Sequence, residues 1–420
     1  MRNTIILHNK HWKNKYENIH HRDVLQKLLK FLNIRQILVL SGIRRSGKTT
    51  IFKLLINHLI DNNIDSKEIL YINLDDPFFS DICKESKNLY KLLEESEVIT
   101  GKKVKYLFLD EVQNVNEWEK FVKSIYDNEI VKKIFITGSN SSLLDGEFAT
   151  LLSGRYINTT IYPLSFKEVV EFYGIKNYFD LIDNRAKILN ILDNLLEYGS
   201  FFEVLNSDVK REIILSYYDT IIFKDCIGNN KIKNPKTFKE ITHFIISNST
   251  NIYSYNSIAK AVNSNEHTIK NFISYLEDAY LIKEITNFSF SLKKQIKSNK
   301  KIYITDNSFL AQTSFRFSKD YGKLLENLVF TELIKREYEV YFYNENFECD
   351  FIAKKDDEII AIQVCYELNQ FNQQRELNGL KKLPFEAQKV VITYNQNDEI
   401  DGIKIVSFWE YFYQKRQQNV

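Results

Sequence analysis

Fourteen residues near the start of the chain, ILVLSGIRRSGKTT (37–50), have the types and spacing to hold a polyphosphate. Ile37–Leu40 is a short apolar run of the kind that forms a buried parallel strand. It stops at Ser41-Gly42, and Gly42, Gly47, Lys48 and Thr49 then fall in the pattern G-x-x-x-x-G-K-T. Glycines let the backbone curl until successive N–H groups point inward, and a helix starting behind them adds roughly half a positive charge. Gly42, Arg44, Arg45, Ser46, Gly47, Lys48, Thr49 and Thr50 are therefore expected around ATP, with Lys48 on the β- and γ-phosphates and the Thr49 hydroxyl on Mg²⁺. A chance match is the competing explanation. Only 12 glycines occur in 420 residues, and the motif sits between a strand and the amphipathic run Ile51–Ile60, which argues against chance.

A strand must bring acid to this loop. VKYLFLDEVQ (104–113) supplies four apolar residues and then Asp110-Glu111 at the carboxyl end, where parallel sheets bind ligands. Asp110 is expected in the Mg²⁺ shell and Glu111 as general base on the attacking water; a solvated acidic turn is the alternative. KIFITGSN (133–140) places Thr137, Ser139 and Asn140 to meet the γ-phosphate or its water. Arg155, after Gly154, either completes a neighbouring subunit's site or is an ordinary surface arginine. Asp75 and Asp76 end a further strand and either face the nucleotide or cap a turn before Pro77.

Further along, Thr250–Ile285 has the form of a helix-turn-helix: Ser257–Val262, a turn at Asn263–Asn265, then Glu266–Ala279. Ile269, Phe272, Ile273 and Leu276 give the second helix its apolar stripe, and Phe288–Ile304 reads as a β-wing. The module suits DNA or a docking protein. In the tail, an amphipathic helix (Tyr321–Glu337) carries Glu326, and two strands with a turn near Lys354–Asp357 carry Asp350 on one and Gln363 and Cys365 together on the other.

Whole-chain composition excludes several classes. The 57 basic and 55 acidic residues nearly cancel, so any nucleic-acid surface must be local. Four widely spaced cysteines give neither a zinc knuckle nor a disulfide framework and fit a reducing cytoplasm. The polar N-terminus is no signal peptide, and no run of about 18 apolar residues exists to cross a membrane.

Taken together, GIRRSGKTT, YINLDD, YLFLDEVQNVNEWEKFVKSIYD, ITGSNSSLL, LSGR and YPLSFKE resemble the prokaryotic AAA+ superfamily ATPases of the archaeal-ATPase type. The resemblance spans nearly the whole chain and implies a multidomain α/β protein. Residues 1–165 would form a P-loop AAA+ parallel sheet with helices, 166–235 a helical lid or connector, 236–305 a winged helix-turn-helix, and 306–420 an α/β restriction-endonuclease-like domain. By similarity, Glu111, Lys48 and Arg155 take catalytic roles, Thr49 and Asp110 hold metal, and Ser139 joins the nucleotide contacts as the residue called sensor 1. The tail is similar to a PD-(D/E)xK nuclease core, but Gln363-Val364-Cys365 stands where the family has E-x-K. A neutral amide and a thiol mostly protonated at neutral pH replace a carboxylate and an ammonium, so Glu326, Asp350, Gln363 and Cys365 form a degenerate site. Lys355 or Lys381 could substitute only if the fold placed one there. The expected function is Mg²⁺-dependent ATP binding and hydrolysis by a cytoplasmic homo-oligomer, coupled to DNA or a nucleoprotein. The rivals are a nucleotide-controlled assembly switch with little turnover and an ATP-regulated nuclease.

Overall fold

The computed structural model describes residues 1–141, 150–314, 320–345 and 347–413; Ser142, Leu143 and Leu144 of the ITGSNSSLL stretch lie outside them. Its contacts divide into two units, Met1–Tyr162 and Pro163–Val420.

The first unit is built on five parallel strands, β1 (Ile37–Ser41), β2 (Ile69–Asn73), β3 (Tyr106–Asp110), β4 (Lys133–Gly138) and β5 (Tyr156–Thr160). Their spatial order is β2-β3-β4-β1-β5. Strands covered on both faces read as unbroken apolar runs, and β1, β3 and β4 are buried at every position. On one face Phe108 and Phe135 stack at 4.1 Å between centroids, and Phe52, from helix Lys48–Asp61, meets Phe108 edge-on at 5.1 Å. Registers pair Ser41 with Gly138 and Asn73 with Asp110, so these strands end at one edge of the sheet.

Edge strand β2 would present unpaired backbone groups to solvent. The chain before β1 covers them with side chains. Asn9 donates to Tyr71 O at 2.9 Å and accepts from Tyr71 N at 2.7 Å, and Trp12 Nε1 donates to Ile69 O at 2.8 Å. His11 Nε2 sits 3.1 Å from the same carbonyl, and Asn73 N donates to His8 Nδ1. Burial holds the His11 pKa down at about 4 against the opposing pull of Ile69 O, so the ring is neutral and donates.

In the second unit, helices Phe166–Phe172, Tyr178–Asp183, Arg185–Tyr198 and Lys210–Thr220 precede helix Pro235–Ser247. A compact group follows: β6 (Ile252–Tyr253), helices Tyr255–Ala261 and Glu266–Asp278, then β7 (Ile282–Thr286) and β8 (Lys300–Ile304) in an antiparallel sheet of order β6-β8-β7. The expected wing over Phe288–Ile304 is corrected. That stretch holds the short helix Leu292–Lys297 and β8, and the strand paired with β8 lies before it, at Ile282–Thr286. Ile282 and Ile285 are buried, and Lys283 between them is exposed.

The last part runs helix Tyr321–Lys335, β9 (Glu339–Asn344), β10 (Glu348–Lys355), β11 (Glu358–Cys365), helix Gln373–Lys381, β12 (Gln388–Thr393), β13 (Asp398–Ile400) and β14 (Ile403–Ser407). The sheet is mixed, with order β13-β14-β12-β11-β10-β9; β9, β10 and β11 are antiparallel, and β12 returns parallel to β11. Buried polar groups tie the unit together. Asp306 accepts from Ser200 N at 2.9 Å, Ser200 Oγ at 3.0 Å and Ser308 N at 3.0 Å, while Glu332 accepts from Phe166 N and from Lys335. Gly199 lies over Asp306 at φ +68°, and a Cβ there would come within 1.7 Å of Asp306 Oδ1. This explains the glycine of EYGSFFEVL, in which the sequence shows no chemistry.

Two stability predictions follow from these contacts. Gly199→Ala meets both a disfavoured backbone and a buried carboxylate, and should lower unfolding free energy by at least about 2 kcal/mol, read as a fall in melting temperature. His11 is depressed in the folded chain, so its contribution is complete above the unfolded pKa of 6.5 and is lost as pH falls toward about 4. Denaturant titrations at pH 7.5 and 5 should show wild type losing about 2 kcal/mol more than His11→Phe across that interval. Equal losses would contradict the assignment.

Candidate functional site

β1 ends in a loop whose shape depends on its glycines. Gly42 has φ +138°, and a Cβ on it would sit 2.2 Å from Ile161 O, so no side chain fits where the loop leaves the sheet. Arg45 and Gly47 also take positive φ, and helix Lys48–Asp61 starts directly behind. Lys48 Nζ donates to Gly42 O at 2.8 Å and Ile43 O at 3.0 Å, which draws the buried ammonium over the loop. Arg44 is partly buried and Arg45 exposed, and Thr50 lies in the first helical turn.

β3 does not touch β1; β4 lies between them. The loop therefore has to reach across one strand to meet Asp110, and it does: Thr49 Oγ1 donates to Asp110 Oδ2 at 2.6 Å. Two further hydroxyls hold the same carboxylate, Tyr71 from β2 at 2.9 Å and Thr137 from β4 at 2.5 Å. Burial raises the Asp110 pKa, and the Thr137, Thr49 and Tyr71 hydrogen bonds oppose it. Tyr71 is itself shifted up, by burial and then by Asp110, and stays a donor.

Thr137 is thus not free for a phosphate, contrary to expectation; it braces Asp110 and accepts from Glu111 N at 2.9 Å. Ser139 and Asn140, just past β4, are buried at the same edge. Glu111 takes φ +55°, a conformation that costs a non-glycine residue about 1–3 kcal/mol, and its carboxylate accepts from Gln113 Nε2. Among the described residues, Ser46 Oγ and Ser139 Oγ are buried with no hydrogen-bond partner. Buried hydroxyls left unpaired cost about 1–3 kcal/mol each; Ser41 Oγ at the end of β1 is in the same state, as are groups far from the loop such as Ser249 and Ser407.

Two groups lay outside the reach of sequence reasoning. Tyr71 looked like one more apolar strand residue. Arg22, buried in the segment before β1, donates to Ser46 O at 2.8 Å and Tyr162 O at 2.8 Å and so pins the loop. No motif marks Arg22, and although Tyr71 opens the YINLDD stretch, nothing there gives its hydroxyl a partner.

Other candidates lie elsewhere. Asp76 caps Phe78 N at 2.9 Å and pairs with His8 at 2.9 Å, and Asp75 accepts from Asn114, so the turn-capping alternative describes them. Arg155 precedes β5, whose first residue pairs with Ile37, at the start of β1. It is therefore at the opposite end of the strands from the loop, bonded to Asp127 at 3.1 Å.

In the second unit, β10 and β11 bring Asp350 beside Gln363, just past the Phe351–Ile362 pair, with Asp350 N donating to Gln363 Oε1 at 3.4 Å. Gln363 Nε2 turns to Glu376 at 2.8 Å. Glu326 and Asp350 meet through Lys301, which the sequence reading overlooked, at 3.4 and 3.9 Å. Cys365 lies apart, with Sγ toward Glu367 O and Asn372, and burial raises its thiol pKa to about 11. Lys355 donates to Arg336 O and Lys381 to Asp401, so neither supplies the missing ammonium.

Residues 34–170 match the family described as AAA domain, and residues 189–320 and 321–411 match two domains of unknown function. An uncharacterized protein of Methanocaldococcus jannaschii is 34% identical over 94% of this chain and 92% of its own length. An uncharacterized protein of Haemophilus influenzae is 33% identical, covering 92% of this chain and 97% of that one. Among solved structures, AMPPCP-bound DnaA from Aquifex aeolicus is similar at 16% identity and a TM-score of 0.28, over 61% of this chain and 86% of that one. With identity at this level along nearly the full length of both partners, the chain belongs to the same family as these Methanocaldococcus and Haemophilus proteins.

Proposed function

We propose that the first unit binds ATP with Mg²⁺ and hydrolyses it. The observation that carries this reading is the 2.6 Å hydrogen bond between Thr49 and Asp110, groups 61 residues apart that converge at the mouth of a glycine loop. A hydroxyl and a carboxylate are hard oxygen donors, and the unpaired Ser46 and Ser139 hydroxyls add polar groups beside them. Thr49 and Asp110 would hold Mg²⁺, which when bound neutralises charge on the phosphates. Lys48 leaves its two carbonyls for phosphate oxygens. Glu111 orients and deprotonates the attacking water, with its backbone fixed by Thr137, and Ser139 meets the terminal phosphate. Arg155, far from its own loop, would act only on a neighbouring copy's nucleotide in a homo-oligomer; its ion pair with Asp127 fits an ordinary surface arginine equally.

We infer further that the group from β6 to β8 acts as a winged helix and contacts DNA or a nucleoprotein. Glu266–Asp278 is capped by Asn265 at Thr268 N, and it buries Ile269, Ile273 and Leu276 while leaving His267, Lys270 and Asn271 outward. The order of helix, three antiparallel strands, helix and parallel strand in the last part supports a nuclease-like fold. With Cys365 turned away and Gln363 held by Glu376, it is a docking fold without cleavage.

Three enzymes decide the first claim. Wild type should turn over ATP, Lys48→Ala should lose nucleotide affinity, and Glu111→Gln should still bind ATP but run about 10²–10⁴-fold slower. Equal rates in all three would refute hydrolysis at this site. ATP bound tightly by wild type without turnover would favour an assembly switch. For the second claim, DNA affinity should weaken as salt rises, and Lys270→Glu should weaken it further; binding indifferent to salt would remove DNA as the partner.

A further inference from the structure

Lys301 is an unusual residue for its position. It stands on β8, buried at every residue, and its side chain is 2% exposed. An isolated ammonium there would be strongly disfavoured. Three carboxylates from two other elements surround it: Glu348 at 2.9 Å and Asp350 at 3.9 Å, both on β10, and Glu326 at 3.4 Å on helix Tyr321–Lys335. Two further bonds reach the cluster, one on the Glu326 oxygen that faces Lys301 and one on the second oxygen of Asp350. Tyr303 OH donates to Glu326 Oε1 at 2.6 Å, and Val364 N donates to Asp350 Oδ2 at 2.8 Å.

We propose that Lys301 is the resident cation of this carboxylate cluster and occupies the place a divalent metal would otherwise take, making the cluster a metal-independent lock between β8, the helix and β10. Hard divalent cations need six or more oxygens at about 2.0–2.6 Å, whereas these oxygens stand at the spacing an ammonium accepts. Among the described residues no group of three or more acidic, histidine or cysteine side chains is arranged to hold a metal ion. A second cation beside Lys301 would be repelled at close range in a poorly solvated site. Although burial opposes it, the ammonium is stabilised in its charged form by Glu326, Asp350 and Glu348. Burial and the Glu326 charge push the Asp350 pKa upward, and the Lys301 ammonium and the Val364 N–H oppose them.

The inference rests on the reading of the last part as non-cleaving, and its test is separable from it. Mn²⁺ binding is measured on nucleotide-free full-length protein by the electron paramagnetic resonance signal of the free ion, for wild type, Lys301→Met, Lys301→Arg and Asp350→Asn. Wild type and Lys301→Arg should show no binding that Asp350→Asn abolishes. Lys301→Met should melt at lower temperature, bind Mn²⁺ at least about tenfold more tightly than wild type, and regain part of its melting temperature with the ion. Wild-type binding lost in Asp350→Asn would overturn the inference, as would a folded Lys301→Met that binds no better than wild type. Should Lys301→Met fail to fold, the comparison of wild type with Asp350→Asn decides alone. Metal-dependent nicking of plasmid, abolished by Asp350→Ala, would instead overturn the non-cleaving reading beneath it.

Discussion

The first unit depends on a buried carboxylate that cannot stand alone. Asp110 is 1% exposed, in a setting that penalises its charge, and three hydroxyls from three different elements make that charge tenable. Thr49 comes from the helix behind the glycine loop, Tyr71 from the strand on one side and Thr137 from the strand on the other. Each bond constrains an element as well as an atom, so the loop, β2, β3 and β4 are held in register at the edge where chemistry is proposed. Thr137 extends this order to Glu111, whose strained backbone is fixed by the same hydroxyl that braces the neighbouring acid.

A second constraint is the open flank of the sheet. The N-terminal segment forms a short helix, Arg2–His8, and a 3-10 turn, Lys10–Trp12, and from these Asn9, His11 and Trp12 answer the backbone groups of β2 with side-chain donors and acceptors. Such a cover protects an edge without adding a strand, and it requires a neutral His11. The segment also delivers Arg22 to the carbonyl of Ser46. Stability at one flank and the shape of the phosphate loop therefore share one stretch of chain.

The last part of the chain shows how a site can keep its frame while its groups change partners. Asp350 and Gln363 sit just past the Phe351–Ile362 pair, where a register shift interrupts β10, and they meet through Asp350 N and Gln363 Oε1. The amide then bonds Glu376, the thiol turns toward Glu367 and Asn372, and an ammonium arrives from a strand of another sheet. Residue spacing cannot reveal Lys301, since proximity between β8 and β10 is created by packing alone.

From sequence alone, the glycine loop, the acidic end of β3, the helix pair at 255–278 and the alternation around Asp350 were all legible. Each is a local pattern whose physics is contained in a few consecutive residues: backbone freedom at glycine, apolar periodicity, side-chain alternation. Tertiary structure decided the rest. Strand order set β4 between the loop and Asp110, turned Thr137 from a ligand group into a brace, gave Tyr71 and Arg22 their tasks, and sent Arg155 to the far end of the sheet. It also supplied a lysine where the local motif had lost one. Those outcomes turn on which distant segments become neighbours, and that is fixed by the packing of the whole unit rather than by any single stretch of it.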